Sequence, residues 1–351
     1  MIRLMDFVFL EDSEWKSLGE FISTKWRNKK LVILCDENTE TYCLPRLLAE
    51  NPDMLSGTEI ISVPPGESSK SLALVEQLTL ALNDLRIDRN AGLICLGGGV
   101  ITDLGGFLAS VYKRGIPFIN VPTSLLAMID ASVGGKTGVN AGILKNQIGT
   151  FNHPEGVFVY PAFLETLPIL EKKSAYGEIL KHALISSVEN WNHLKDIGEL
   201  DEIGPKEIIT SMQVKAEVVQ QDFKEGGVRK ILNFGHTVGH AIESWSIATS
   251  RPLLHGEAVA WGMVVEAELS KSVGLPLEQF VEIEATVRNL FEPIVLKTSD
   301  LNDLISLMGA DKKNTNEQLG FVLLKNIGNP VFDQFIDSEK VLSSLKKVFE
   351  L

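Results

Sequence analysis

The sequence has 351 residues, room for two domains of roughly 100–200 residues each. Hydrophobic residues make up 44% and charged residues 23%, which excludes a disordered chain, collagen and a coiled coil. The 33 Lys and Arg stand against 46 Asp and Glu, a net charge of −13. That balance argues against nonspecific binding to nucleic acid or to an anionic membrane, but leaves room for a phosphorylated small molecule held by local basic residues.

The N-terminal stretch MIRLMDFVFLEDSEW runs into the acids Glu11 and Asp12 without a small-residue cleavage site, so no signal peptide is read. Apolar runs such as Ala91–Leu96 are too short to span a bilayer. Continuous apolar strands are predicted at Lys30–Cys35, Thr58–Val63, Gly92–Leu96 and Phe118–Val121, with a helix at Leu72–Leu85. Such strands, alternating with helices, imply a parallel sheet covered on both faces. After about residue 168 helices dominate: Ser174–Ile185, Lys206–Gln221, Ile231–Trp245, Gly256–Val273 and Leu277–Leu290, with one late strand at Gly320–Leu324. The expectation is an α/β domain over 1–168 and a mainly α-helical domain over 169–351. Cys35, Cys43 and Cys95 lack C-x-x-C spacing and fit a reducing cytoplasm, with Cys35 and Cys95 as small core residues.

The segment GLICLGGGVITDLGG reads as strand, glycine turn, helix. Such a turn presents free N–H groups and the positive end of the helix dipole to a pyrophosphate. It is not G-x-G-x-x-G, so the standard dinucleotide fingerprint fails. A tight turn with Asp103 as a first-turn acid explains the spacing equally well. Asp36, at the end of the first strong strand, is a candidate for ribose hydroxyls. Glu67 and Lys70 follow a later strand and are candidates to join it.

NFGHTVGHAIE puts His236 and His240 four apart on one helix face. His255 opens the next helix, and Glu178 lies on another. Imidazoles with a carboxylate and no thiolate suit Zn²⁺ or another first-row divalent ion. Spacing leaves open which two histidines are ligands, and whether the acid is Glu178, Glu243 or Glu257. Basic and amide residues recur in glycine-rich or turn contexts, among them Arg114, Lys136, Lys145 and Asn146. Any one of them is by default a solvated surface charge. Lys181, three residues after Glu178, shares its helix face.

Taken in order, GGGVITDLGGFLASVYKRGIPFINVPTSLLAMIDASVGGKTGVN, LKNQIGTF, GEILKHALI, NFGHTVGHAIE, LHGEAVAWGM and DKK resemble the 3-dehydroquinate synthase family, a branch of the sugar phosphate cyclases, over essentially the whole chain. The resemblance implies a Rossmann-like NAD-binding α/β domain and a helical metal-binding domain. It implies Glu178, His236 and His255 as ligands of Zn²⁺ or Co²⁺, with His240 near the substrate. Gly98, Gly99, Val100 and Asp103 match the pyrophosphate turn. Asp36, Asn38, Glu67, Lys70, Thr123, Ser124, Lys145, Thr166 and Leu167 match other NAD contacts. Arg114, Asp130, Lys136, Lys145, Asn146, Lys181, Lys215, Arg229, Asn233 and one or both of Lys312 and Lys313 match substrate and phosphate contacts, and Glu225 a carboxylate behind them. Arg114, Lys136, Lys181, Glu225 and His240 are the residues expected to serve catalysis. The sequence departs from the family at Tyr176-Gly177, where Leu-Ala is common, at His182 for Tyr and at Ser124 for Thr. The segment Ser246–Leu254 is also longer than usual.

The activity so implied is conversion of 3-deoxy-D-arabino-heptulosonate 7-phosphate to 3-dehydroquinate and phosphate, a carbon–oxygen lyase step of the shikimate pathway. It proceeds by alcohol oxidation, phosphate elimination, ketone reduction, ring opening and aldol closure, with no net use of NAD. A homodimer is implied as well. The competing readings are a cyclase making an inosose or valiolone, a metal-dependent polyol dehydrogenase, and a degenerate cyclase kept as a binding protein.

Overall fold

The computed structural model describes residues 2–5, 7–142, 144–197, 200, 203–249, 251–309 and 318–351, with backbone alone at 2–5. Lys312 and Lys313 lie outside the described residues. The chain divides into two compact units, Met1–Pro168 with Gly204–Ala216, and Ile169–Ile203 with Glu217–Leu351.

The first unit contains β1 (Ile2–Met5), β2 (Val8–Leu10), α1 (Lys16–Lys25), β3 (Leu31–Asp36), α2 (Glu37–Tyr42), α3 (Leu44–Glu50), β4 (Glu59–Val63), α4 (Leu72–Asp84), β5 (Gly92–Gly97), α5 (Gly99–Val111), β6 (Phe118–Pro122), β7 (Lys136–Ala141), β8 (Leu144–Phe151) and β9 (Val157–Val159). The four continuous apolar runs become β3, β4, β5 and β6, within about two residues of their expected ends. They pair in parallel in a seven-stranded sheet of order β1-β2-β9-β6-β5-β3-β4, in which β1–β2 alone is antiparallel. Every residue of β5 and β6 is buried, which is why these strands carry no polar alternation. Val32, Leu34, Leu93 and Cys95 pack with Leu104 and Leu108 of α5 and with Val75 and Leu78 of α4 in the core. β7 and β8 form a separate antiparallel hairpin.

The second unit contains α6 (Ile169–Ser186), α7 (Val188–Leu194), the end of α8 (Pro205–Gln221), α9 (His236–Ser246), α10 (His255–Ser270), α11 (Leu277–Leu290), α12 (Asp300–Gly309), the hairpin β10 (Gln318–Asn326) and β11 (Asn329–Asp337), and α13 (Ser338–Val348). The expected helix Ile231–Trp245 is broken: Val228–Asn233 is a 3₁₀ turn, and α9 begins only after Gly235, whose φ of +80° stops helical propagation. Helix α10 is buried from Gly256 to Ser270. Two of its glycines let neighbouring backbones touch it. A Cβ on Gly256 would sit 1.7 Å from the Ser174 carbonyl of α6, and one on Gly262 would sit 2.1 Å from the Gly235 carbonyl. Glu266, fully buried on α10, accepts from the backbone N–H groups of Gly235 at 2.7 Å and Val238 at 3.3 Å. A carboxylate from α10 therefore satisfies donors at the start of α9. Among the described residues no helix is long and apolar enough to cross a membrane.

Candidate active site

In the first unit the glycine turn lies between β5 and α5. Gly98 precedes α5, and no side chain caps that end, so its first N–H groups and dipole stay available to an anion. Asp103 is not in the first turn, as expected, but one turn further in. There Lys70 Nζ donates to Asp103 Oδ2 at 2.7 Å and to Asn146 Oδ1 at 2.5 Å. Burial raises the Asp103 carboxyl above its ordinary value, and Lys70 opposes that shift. Asn140, which sequence reasoning missed, completes the cluster. Its backbone N–H donates to the Lys70 carbonyl at 2.8 Å and its amide to Glu67 Oε1 at 2.9 Å. Glu67, Lys70, Asp103 and Asn146 are thus brought together. The only signal for Asn140 was its place in GGKTGVN.

Other expected contacts have local partners. Asp36 caps α2 by accepting from Thr39 N at 2.9 Å, and Asn38 lies exposed in that helix. Thr123 N donates to the Gly97 carbonyl at 3.1 Å, so Thr123 and Ser124 follow β6 next to the turn. Thr166 and Leu167 close the 3₁₀ turn Pro161–Thr166 by bonding back to Phe163 and Leu164. Lys215 Nζ donates to both the carbonyl and Oδ1 of Asp130, each at 2.6 Å. Lys136 and Lys145 are not brought together. Lys136 pairs with Phe151 at the open end of the β7–β8 hairpin and Lys145 follows its turn, roughly 17 Å apart at strand rise. Arg114 is exposed with φ +67°, beyond the C-terminal end of α5 and the full helix length from Gly99.

In the second unit, α6 supplies Glu178 and Lys181, α9 supplies His236 and His240, and α10 supplies His255. Glu178 and Lys181 are each 1% exposed, and Lys181 Nζ pairs with Glu178 Oε2. The other carboxylate oxygen, Oε1, lies 3.5 Å from His236 Nε2 and 3.4 Å from His255 Nε2. A tetrahedral ion with bonds of about 2.1 Å sets its ligand atoms about 3.4 Å apart, so this donor set fits a divalent first-row ion. The remaining ring nitrogens face acceptors: His236 Nδ1 lies 3.2 Å from the Phe234 carbonyl and His255 Nδ1 3.0 Å from Glu243 Oε2. His240 is exposed, with its ring 5.2 and 5.6 Å from those of His236 and His255. Glu257 accepts from Leu254 N at 3.2 Å and pairs with Arg251 at 3.1 Å, capping α10. Of the three acids weighed, Glu178 alone faces both Nε2 atoms.

Burial holds His236 well below its ordinary pKa, and Lys181, His240 and His255 add to that against Glu178. Burial also pulls His255 down, but Glu178 and Glu243 outweigh it and raise it to about 10. The two carboxylates around His255 favour a positive charge at this point. In the same unit, buried Arg229 donates through Nη1 to the Phe223 carbonyl at 2.5 Å, and Asn233 donates to Glu225 Oε1 at 3.0 Å. Asp222, another residue missed, gathers the N–H groups of Gly226, Gly227 and Arg229 at 3.0, 2.7 and 3.1 Å.

The fold is an α/β unit with an uncapped glycine turn and a helical unit with a His₂Glu donor set. That fold is seen in the 2-epi-5-epi-valiolone synthase of Streptomyces hygroscopicus subsp. jinggangensis, solved with NAD⁺ and Zn²⁺ bound: TM-score 0.86, 24% identity, covering 100% of this chain and 98% of that one. A 2-deoxy-scyllo-inosose synthase complexed with carbaglucose-6-phosphate, NAD⁺ and Co²⁺ gives a TM-score of 0.85 at 24% identity, over 98% of this chain and 96% of that one. Within this class, residues 60–174 match the family 3-dehydroquinate synthase N-terminal and residues 175–314 the family 3-dehydroquinate synthase C-terminal. The chain is 41% identical to the 3-dehydroquinate synthase of Parabacteroides distasonis over 93% of each sequence. It is 43% identical to that of Campylobacter concisus over 82% of this chain and 83% of the relative. The chain belongs to the 3-dehydroquinate synthase family.

Proposed function

We propose that this protein is a 3-dehydroquinate synthase, converting 3-deoxy-D-arabino-heptulosonate 7-phosphate to 3-dehydroquinate and phosphate in aromatic amino acid biosynthesis. Relatives of that name at 36–43% identity support the substrate. The observation that carries the chemistry is Glu178 Oε1 facing Nε2 of both His236 and His255.

NAD, when bound, would supply reversible oxidation with no net consumption of the cofactor. A Zn²⁺ or Co²⁺ ion held by Glu178, His236 and His255 supplies Lewis acidity that eases deprotonation of a substrate hydroxyl. Gly98, Gly99 and Val100 offer backbone donors to the NAD pyrophosphate, with Asp36, Asn38, Glu67, Lys70, Asp103, Thr123, Ser124, Lys145, Thr166 and Leu167 as further contacts. Lys181 holds one oxygen of Glu178, which leaves the other directed at the imidazoles. The family resemblance assigns Lys145, Lys215 and Arg229 the positive charge that binds a phosphate and stabilises it as it departs; Arg114, at the far end of α5, has the same role from the resemblance alone. Asp130, Asn146, Asn233 and one or both of Lys312 and Lys313 are assigned the remaining substrate contacts by the family resemblance, and Glu225 holds the Asn233 amide. His240 moves a proton at its exposed imidazole, and Lys136 anchors the substrate carboxylate. We take the protein to act in the cytoplasm, supported by its free, buried cysteines, and as a homodimer, supported by the family resemblance.

A cyclase making an inosose or valiolone is the second reading, favoured by the shared fold but set against 24% identity to the solved examples. The test is phosphate release from 3-deoxy-D-arabino-heptulosonate 7-phosphate with NAD and Zn²⁺ or Co²⁺, beside a chelated control. Metal-dependent release forming dehydroquinate without net NADH is expected. Accumulating NADH points to a polyol dehydrogenase. No turnover by folded protein loaded with metal and NAD overturns the assignment.

A further inference from the structure

We infer that Glu243 is the positioning residue of the metal site, holding the Nδ1–H of His255 so that its Nε2 lone pair points at the ion. The inference rests on the reading of Glu178, His236 and His255 as the ligand set. Glu243 follows His236 by seven residues on α9, two turns along the same face. Its Oε2 lies 3.0 Å from His255 Nδ1, on the far side of the ring from Glu178. Glu243 thus faces the ring nitrogen of His255 that Glu178 does not. A neutral imidazole carries one proton, and an acceptor at Nδ1 selects the tautomer that leaves Nε2 free to donate electrons.

The two histidines obtain this acceptor in different ways. His236 uses the Phe234 backbone carbonyl at 3.2 Å, which no side-chain change removes. His255 is the more exposed ring, its side chain 31% accessible against 14% for His236. Packing constrains it less, and a side chain from another helix holds it. That side chain is anionic, so it also makes His255 the stronger electron donor of the pair.

The test uses chelator-stripped full-length protein titrated with Zn²⁺ against a chromophoric competitor, and with Co²⁺ followed by its visible spectrum. Glu243→Leu, similar in size but unable to accept, is expected to weaken Zn²⁺ binding about 10–100-fold and to shift the Co²⁺ bands. The metal-free melting temperature should also fall, because Glu243 supports a charged His255 in the absence of the ion, so Zn²⁺ affinity is read below the melting transition of each variant. Glu243→Gln, whose amide oxygen still accepts, is expected to recover most of the affinity. Wild-type Zn²⁺ affinity and Co²⁺ bands in Glu243→Leu overturn the inference. Failure of the wild-type protein itself to bind either ion overturns the underlying site instead. Independently of any variant folding, ¹⁵N-correlated imidazole NMR of the Zn²⁺-loaded wild type is expected to show His255 protonated at Nδ1 and bare at Nε2. The reverse pattern overturns the inference.

Discussion

Glu178 and Lys181 sit side by side on one helix, almost without solvent, and the carboxylate also faces two imidazoles. Without an ion, Lys181 is the nearest full positive charge to Glu178. Removing one partner of a buried pair leaves an uncompensated charge, which costs on the order of 3–5 kcal/mol. Lys181→Met should destabilise the chelated protein by less than that amount, because His255, raised to about 10, also faces Glu178 at 3.4 Å, and Zn²⁺ should restore much of the loss by supplying the missing charge. Thermal melts with and without Zn²⁺ check this; a variant whose deficit Zn²⁺ leaves untouched would separate Lys181 from the metal site. Glu178→Gln keeps the shape and removes the anion, and it should abolish tight Zn²⁺ binding, as read by metal content after dialysis.

The proposed ligands Glu178, His236 and His255 meet because α10 runs against α6 and α9 at backbone contact. A Cβ on Gly262 would lie 2.1 Å from the Gly235 carbonyl and 2.7 Å from Gly239 N, forcing α9 away. Overpacking of this kind costs about 1–3 kcal/mol. Gly262→Ala should lower both the melting temperature and Zn²⁺ affinity, while Gly226→Ala, with nothing within 4 Å of the new Cβ, should change neither appreciably. The segment before Arg229 depends on Asp222, whose carboxyl is held below its ordinary value of 3.8, chiefly by the Gly227 N–H. A depressed folded-state pKa adds stability above the unfolded value and loses it as pH falls through the folded one. The melting-temperature advantage of wild type over Asp222→Asn should therefore persist near neutral pH and shrink below 3.8. An unchanged advantage in acid would show that Asp222 acts by shape alone.

Across the whole molecule, the glycine turn proposed to hold NAD belongs to one unit and the proposed His₂Glu ligand set to the other, so each ligand should stabilise the fold through its own unit. A ligand at about 100 times its Kd adds about 2.7 kcal/mol. NAD should raise the melting temperature even in chelator, and Zn²⁺ should raise it even without NAD. A thermal shift that requires both together would show that neither site is formed alone.

The sequence by itself determined the strands β3 to β6, because fully buried parallel strands are written as unbroken apolar runs. It also determined helices α4, α8 and α11 to within a residue or two. The family followed from motifs strung along the chain, and the three histidines near Glu178 were visible as a metal-binding composition. Alternation too weak to read hid the β7–β8 hairpin, whose residues are glycine-rich and polar. The break at Gly235 was hidden because an asparagine–phenylalanine–glycine run fits a helix until its backbone is seen. Only the tertiary structure decided that Glu178 faces both Nε2 atoms, that Glu243 stands behind His255, and that Glu266 reaches across to the start of α9. It alone separated Lys136 from Lys145 and set Arg114 at the far end of α5. The reason is physical: spacing within one helix tells which residues share a face, but which atoms of two helices meet depends on how closely their backbones approach. Here that approach is set by glycines whose role shows only when the neighbouring carbonyl is in view.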